Sequence, residues 1–116
     1  MKRFAYLDIE ATHTNWHDAD IIEIAFIIKN EKGEDLDFFH SLVRPQKSIE
    51  HQITELTGIT DKMVEQAPEF HQIADKVFDK LKDSIIVAHK AEFDMSLLQK
   101  KFQELSIVLS NKTQCT

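Results

Sequence analysis

The chain has 116 residues, enough for one domain or part of one. It is 42% hydrophobic, with eight Phe, two Gly and two Pro, which excludes collagen-like, low-complexity and disordered classes. A formal charge of −6 argues against a simple basic nucleic-acid binder, but not against an enzyme whose acids hold cations against a phosphate. The single cysteine, Cys115, leaves neither a disulfide framework nor a multi-cysteine zinc module. The amino terminus turns acidic at Asp8, and the greasiest run, Ile21–Ile28, contains Glu23 and falls far short of the ~20 residues that span a bilayer. A soluble, cytoplasmic protein with no membrane partner is expected.

In chain order, Phe4–Ile9 reads as a short buried strand. Residues 13–20 read as a polar loop, and Ile21–Lys29 as a β-branched strand covered on both faces. A turn at Asn30–Glu34 leads into a third strand, Asp35–Val43, and the three together suggest an antiparallel meander. After Pro45 the period changes. Ile49–Leu56 reads as a short helix stopped by Gly58, and Thr60 is placed to cap a turn through Val64. Phe70, Ile73, Ala74, Val77, Phe78 and Leu81 form the apolar stripe of a helix over Glu69–Lys82. Ser84–Ala88 reads as a strand, and Phe93, Leu97, Leu98, Phe102 and Leu105 mark a last amphipathic helix. The expected order is β-β-β-α-α-β-α, a mixed α/β plan within one unit covering residues 1–116.

Two features carry chemistry. Asp8 and Glu10 are two residues apart on the first strand, so they share a face with Cα atoms ~6.5–7 Å apart. They are either solvated acids beyond the strand's end or a hard-cation site, since paired carboxylates are the usual ligands of Mg²⁺ and Mn²⁺. The second is Ile85–Asp94, where an apolar strand ends and an Asp falls in the first turn of a helix. Asp94 either complements the helix dipole or, if the two strands are neighbours, joins Asp8 and Glu10.

Together these blocks carry a likeness. Asp8-Ile9-Glu10, Ile21-Ile22-Glu23-Ile24-Ala25, Val43-Arg44-Pro45, Thr57-Gly58-Ile59-Thr60, Ala67-Pro68 and Val87-Ala88-His89 through Phe93-Asp94 stand in order along nearly the whole chain. The set resembles the Asp-Glu-Asp-Asp superfamily of 3′–5′ exonucleases, in the histidine-containing branch typified by the proofreading epsilon subunit of bacterial DNA polymerase III. The resemblance implies a ribonuclease H-like fold: an antiparallel three-stranded start, a parallel strand after it, and flanking helices. It implies phosphodiester hydrolysis at single-stranded DNA 3′ ends, or on short RNA, with two divalent cations, Mg²⁺ or Mn²⁺. Asp8, Glu10 and Asp94 would be both the catalytic residues and the metal ligands. Ala11, Thr12, His13 and Thr57 would lie beside the substrate, and a DNA polymerase subunit is an implied partner.

The departures matter equally. The family usually continues Thr-Thr-Gly where this chain has Ala11-Thr12-His13, and frequently has Asn where Lys90 stands. It also needs a fourth carboxylate and a histidine general base on a later segment, and after Asp94 this chain has no Asp and no His. His89 belongs to the Asp94 motif and does not replace that base. The expectation is therefore a truncated domain lacking its last strand and helix, inactive alone and prone to self-association through uncovered sheet surface. A non-catalytic module that keeps the fold to bind a polymerase, a helicase or a nucleic-acid end is the alternative. Trp16 either stacks on a base or packs on the sheet edge, and Lys100 and Lys101 are candidate backbone contacts. A zinc cluster of His13, His17, Asp18 and Asp20 is disfavoured, because their four-residue spacing suits a helix and this stretch is a loop.

Overall fold

A computed structural model describes residues 1–116. Its elements are β1 (Arg3–Ala11), β2 (Ile21–Asn30), β3 (Asp35–Leu42), α1 (His51–Thr57), α2 (Asp61–Val64), α3 (Phe70–Leu81), β4 (Ile85–Ala88), α4 (Ala91–Gln103) and β5 (Thr113–Cys115). The five strands form one sheet in the order β3-β2-β1-β4-β5. β1 pairs antiparallel with β2, and β2 with β3, which is the expected meander. β4 then lies parallel to β1, and β5 parallel to β4. The last strand, expected to be missing, is therefore present over three residues, fixed by the Ile86↔Thr113 to Ala88↔Cys115 register. Its composition, Thr-Gln-Cys, has no apolar alternation to announce it.

One face of the sheet makes the core. Ala5, Leu7, Ile9 and Ala11 of β1 point to it, together with Ile24, Phe26 and Ile28 of β2 and Ile86 of β4. α3 and α4 cover that face. Phe102 of α4 is fully buried and meets Phe70 and Phe78 of α3 edge-on, at ring-centroid distances of 5.1 and 5.8 Å. A smaller cluster of Ile22, Ile49, Ile53, Ile59 and Val64 seats α1 and α2. Gly58 closes α1 at φ +78°, a left-handed conformation that L side chains adopt only with strain, and its N–H donates to Thr54 O at 2.8 Å. Thr60 Oγ1 accepts from Met63 N at 3.2 Å, the cap that its position predicts.

The opposite face corrects an expectation. The apolar run of β2 predicts burial on both sides, but its burial alternates. Ile27 is 40% exposed, Tyr6 45% and Phe38 71%. The register makes Tyr6, Ile27 and Phe38 neighbours in one row across β1, β2 and β3. A run of β-branched residues signals a strand without saying how many of its faces are covered.

Candidate active site

The β1–β4 register builds the site. Leu7 pairs with Ala88, so Asp8, still within β1, stands level with His89, the first residue beyond the carboxyl end of β4. The chain turns at His89–Lys90, and α4 begins at Ala91, which brings Asp94 back over β1 within its first turn. Asp8 and Glu10 point away from the core, because Leu7, Ile9 and Ala11 take the inward positions of the pleat. Asp94 lies on the buried stripe of its helix with Ala91, Met95, Leu98 and Phe102. All three acids line one cleft of about 200 Å³. α1 supplies its opposite wall through Ile53, Leu56 and Thr57, and Phe93, His89 and Lys90 complete the α4 side.

The electrostatics are those of uncompensated negative charge. Asp94 is 4% exposed. Burial, and then the charges of Asp8 and Glu10, push its carboxyl up to about 7, with Lys90 acting in the opposite sense. Glu10 is raised by burial, by Asp8 and by Glu23, its cross-strand partner on β2. No hydrogen-bond donor relieves Glu10 or Asp94. Nowhere in the chain do three His, Cys, Asp or Glu side chains close to ligating distance, so the three acids face one another across the cleft without converging on a point. A cation between them would offset their mutual repulsion. An all-oxygen, donor-poor, partly buried set of carboxylates suits a hard divalent ion.

The flanking residues divide. Ala11 and His13 line the cleft, as does Thr14, which belongs to none of the motifs. Thr12 does not line it: it is fully buried, its hydroxyl accepting the Asp20 N–H at 2.9 Å and bonding His13 Nδ1 at 2.6 Å. A hydroxyl so committed holds the loop together. Thr57 lines the cleft, with its hydroxyl donating to Ile53 O and accepting from Ile59 N.

The candidate backbone-contact lysines are also spoken for. Lys100 Nζ donates to the carbonyls of Trp16, His17 and Ala19 at 3.0–3.1 Å. Lys101 pairs with Asp20 at 2.6 Å and Glu104 at 3.0 Å. Trp16 packs against the core and stacks on His17, the structural alternative to a base contact. Asp20, engaged by Lys101 and by Gln46 N–H, is not available to a loop zinc cluster.

Residues 6–115 match the family model described as Exonuclease. The chain belongs to this exonuclease family. It is 36% identical over 108 residues to the 3′–5′ exonuclease DinG of Staphylococcus aureus strain MRSA252, covering 92% of this chain and 12% of that protein. The same figures hold for DinG of strain USA300, so the exonuclease-family chain spans about an eighth of these relatives. Among solved structures, an ExoI/SSB-Ct complex superposes with a TM-score of 0.89 at 13% identity, over 99% of this chain and 28% of that one. Exonuclease I of E. coli in complex with a dT13 oligonucleotide gives 0.88 at the same identity and coverage. At that identity the likeness is one of fold, and it bears out the ribonuclease H-like architecture that the motifs imply. Membership of the Asp-Glu-Asp-Asp superfamily is borne out as well.

Proposed function

We propose that this chain forms the metal-binding face of a 3′–5′ exonuclease domain that cuts phosphodiester bonds at single-stranded DNA 3′ ends. The observation that carries the reading is the meeting of Asp8, Glu10 and Asp94, drawn from a strand and a helix, in one cleft of an exonuclease-family chain. The relatives named 3′–5′ exonuclease support the polarity, and the dT13 complex of exonuclease I supports a single-stranded substrate. Likeness to the epsilon subunit supports a polymerase partner in DNA replication and a cytoplasmic location. No helix is long and apolar enough to cross a membrane.

Two divalent cations, Mg²⁺ or Mn²⁺, would supply charge neutralisation at the phosphate and an activated water. Asp8 would hold both ions, Glu10 the first and Asp94 the second. Ile53, Leu56 and Phe93 give the terminal nucleotide an apolar wall, while the Ala11 backbone, His13 and Thr57 border it. Residues 1–116 carry three of the four carboxylates that the family resemblance implies, and neither Asp nor His follows Asp94. In this reading they bind metal and a 3′ end without turnover. Turnover then requires a segment that supplies both groups. A second reading is a non-catalytic module that holds a nucleic-acid end or a polymerase. The exposed Tyr6, Ile27 and Phe38 row supports self-association of this unit at high concentration.

The test is a 5′-labelled oligonucleotide incubated with Mg²⁺ or Mn²⁺, first with residues 1–116 and then with the family's His and fourth acid joined after β5. Metal-dependent binding by the first and shortening from the 3′ end by the second, both lost in Asp8→Ala, are expected. An inert joined protein that still binds the oligonucleotide would establish the non-catalytic module. Activity indifferent to Asp8→Ala would end both readings. A ribo-oligonucleotide run in parallel separates short RNA from DNA.

A further inference from the structure

Six ionisable side chains line the cleft: Asp8, Glu10, Asp94, His13, His89 and Lys90. Among them Lys90 alone is a permanent cation. Its ammonium makes no ion pair and no hydrogen bond, although three carboxylates face the same space, and the side chain is exposed. The neighbouring lysines behave differently, since Lys100 and Lys101 are each tied to partners across the loop. Lys90 is also the N-cap residue of the 13-residue α4, where no side chain caps the helix, so its positive charge adds to the positive end of the helix dipole.

A phosphodiester entering this cleft meets three carboxylates that repel it, and the one cation not engaged elsewhere is Lys90. We propose that Lys90 is a phosphate-positioning residue, its ammonium donating to a non-bridging oxygen of the nucleic-acid phosphate placed over Asp8, Glu10 and Asp94. The inference rests on the exonuclease reading and deepens it, because recognition of the phosphate then has a protein component beside any bound cation. The same ammonium opposes cation binding, as its charge acts on both Glu10 and Asp94. Lys90 therefore has effects of opposite sign on the two ligands.

The experiment compares wild type, Lys90→Gln and Lys90→Arg. Mg²⁺ affinity is read by calorimetry, and binding of a fluorescent single-stranded deoxyoligonucleotide by anisotropy at saturating Mg²⁺ over a salt series. Lys90→Gln is expected to bind Mg²⁺ a few-fold tighter, roughly two- to five-fold. It should bind the oligonucleotide about 10-fold more weakly, with a salt slope smaller by about 0.7. Lys90→Arg should retain wild-type behaviour in both. Unchanged oligonucleotide affinity and salt slope in Lys90→Gln, alongside Mg²⁺-dependent binding by wild type, overturns the role of Lys90 and leaves the exonuclease reading standing. Absence of Mg²⁺-dependent oligonucleotide binding in wild type overturns both.

Discussion

Asp94 is where the conflict between folding and chemistry is concentrated. It occupies a position on the buried stripe of α4 that an apolar side chain would fill at no electrostatic cost, and it faces two other acids. Its carboxyl moves from an ordinary 3.8 to about 7 on folding, so between those values the folded chain holds a proton that the unfolded chain releases. The metal-free protein therefore loses stability as the pH rises from about 4 to about 7, and bears the whole penalty above that. Asp94→Asn removes the titration. At pH 8 without metal the variant should melt several degrees above wild type, a gain of about 1 kcal/mol or more, and this margin should shrink toward pH 4. Calorimetric melts at the two pH values check it, and a variant that melts lower at pH 8 would contradict the assignment. Asp94 itself was legible in the sequence, from its place after an apolar strand. Thr12 was not: a hydroxyl beside the motif reads equally as a ligand contact or as a loop tie, and the buried bonds to Asp20 and His13 decide for the tie.

At the scale of elements, the site depends on α4 being held at both ends. Its first turn is placed by the β4 register, and its last turn by lysines that reach across to the β1–β2 loop. Burial alone would pull the Lys101 ammonium down, but its bonds to Asp20 and Glu104 outweigh that and raise it. Its side chain is 12% exposed, and Asp20 is buried beside it, so Lys101→Met leaves a buried acid unpaired. A loss of about 3 kcal/mol is expected by denaturant titration, with a smaller loss for the double change Lys101→Met and Asp20→Asn. A double loss equal to the sum of the Lys101→Met and Asp20→Asn losses would mean that the pair is not coupled. Lys100→Met should instead speed amide exchange in residues 13–20, where three carbonyls lose their donor. α1, α3, α4 and the first four strands were readable from apolar stripes and β-branched runs, whereas the four-residue α2, expected as a turn after Thr60, is too short to show a stripe. Gly58 and Thr60 marked their boundaries closely. The roles of Lys100 and Lys101 were not readable, since a charged pair on a helix looks the same in sequence whether it meets solvent, phosphate or a loop more than 80 residues away.

Taken whole, the molecule has one covered sheet face and one that leaves Tyr6, Ile27, Leu36 and Phe38 exposed. Phe38 is the outermost of these and contributes least to the monomer's packing. Phe38→Lys should reduce self-association in sedimentation velocity at high concentration while leaving the unfolding free energy within about 0.5 kcal/mol of wild type. Unchanged sedimentation would place any association elsewhere. The acidic net charge is compatible with the proposed function, in which carboxylates would gather cations and the cations the phosphate.

The most direct measurement of cation binding by Asp8, Glu10 and Asp94 is calorimetric titration of the chain with Mn²⁺ at pH 8. Wild type should bind, and Asp8→Ala and Asp94→Asn should each weaken binding about 10-fold or more, although Asp94→Asn is the more stable protein without metal. Mn²⁺ affinity that is the same in wild type and both variants would contradict the account.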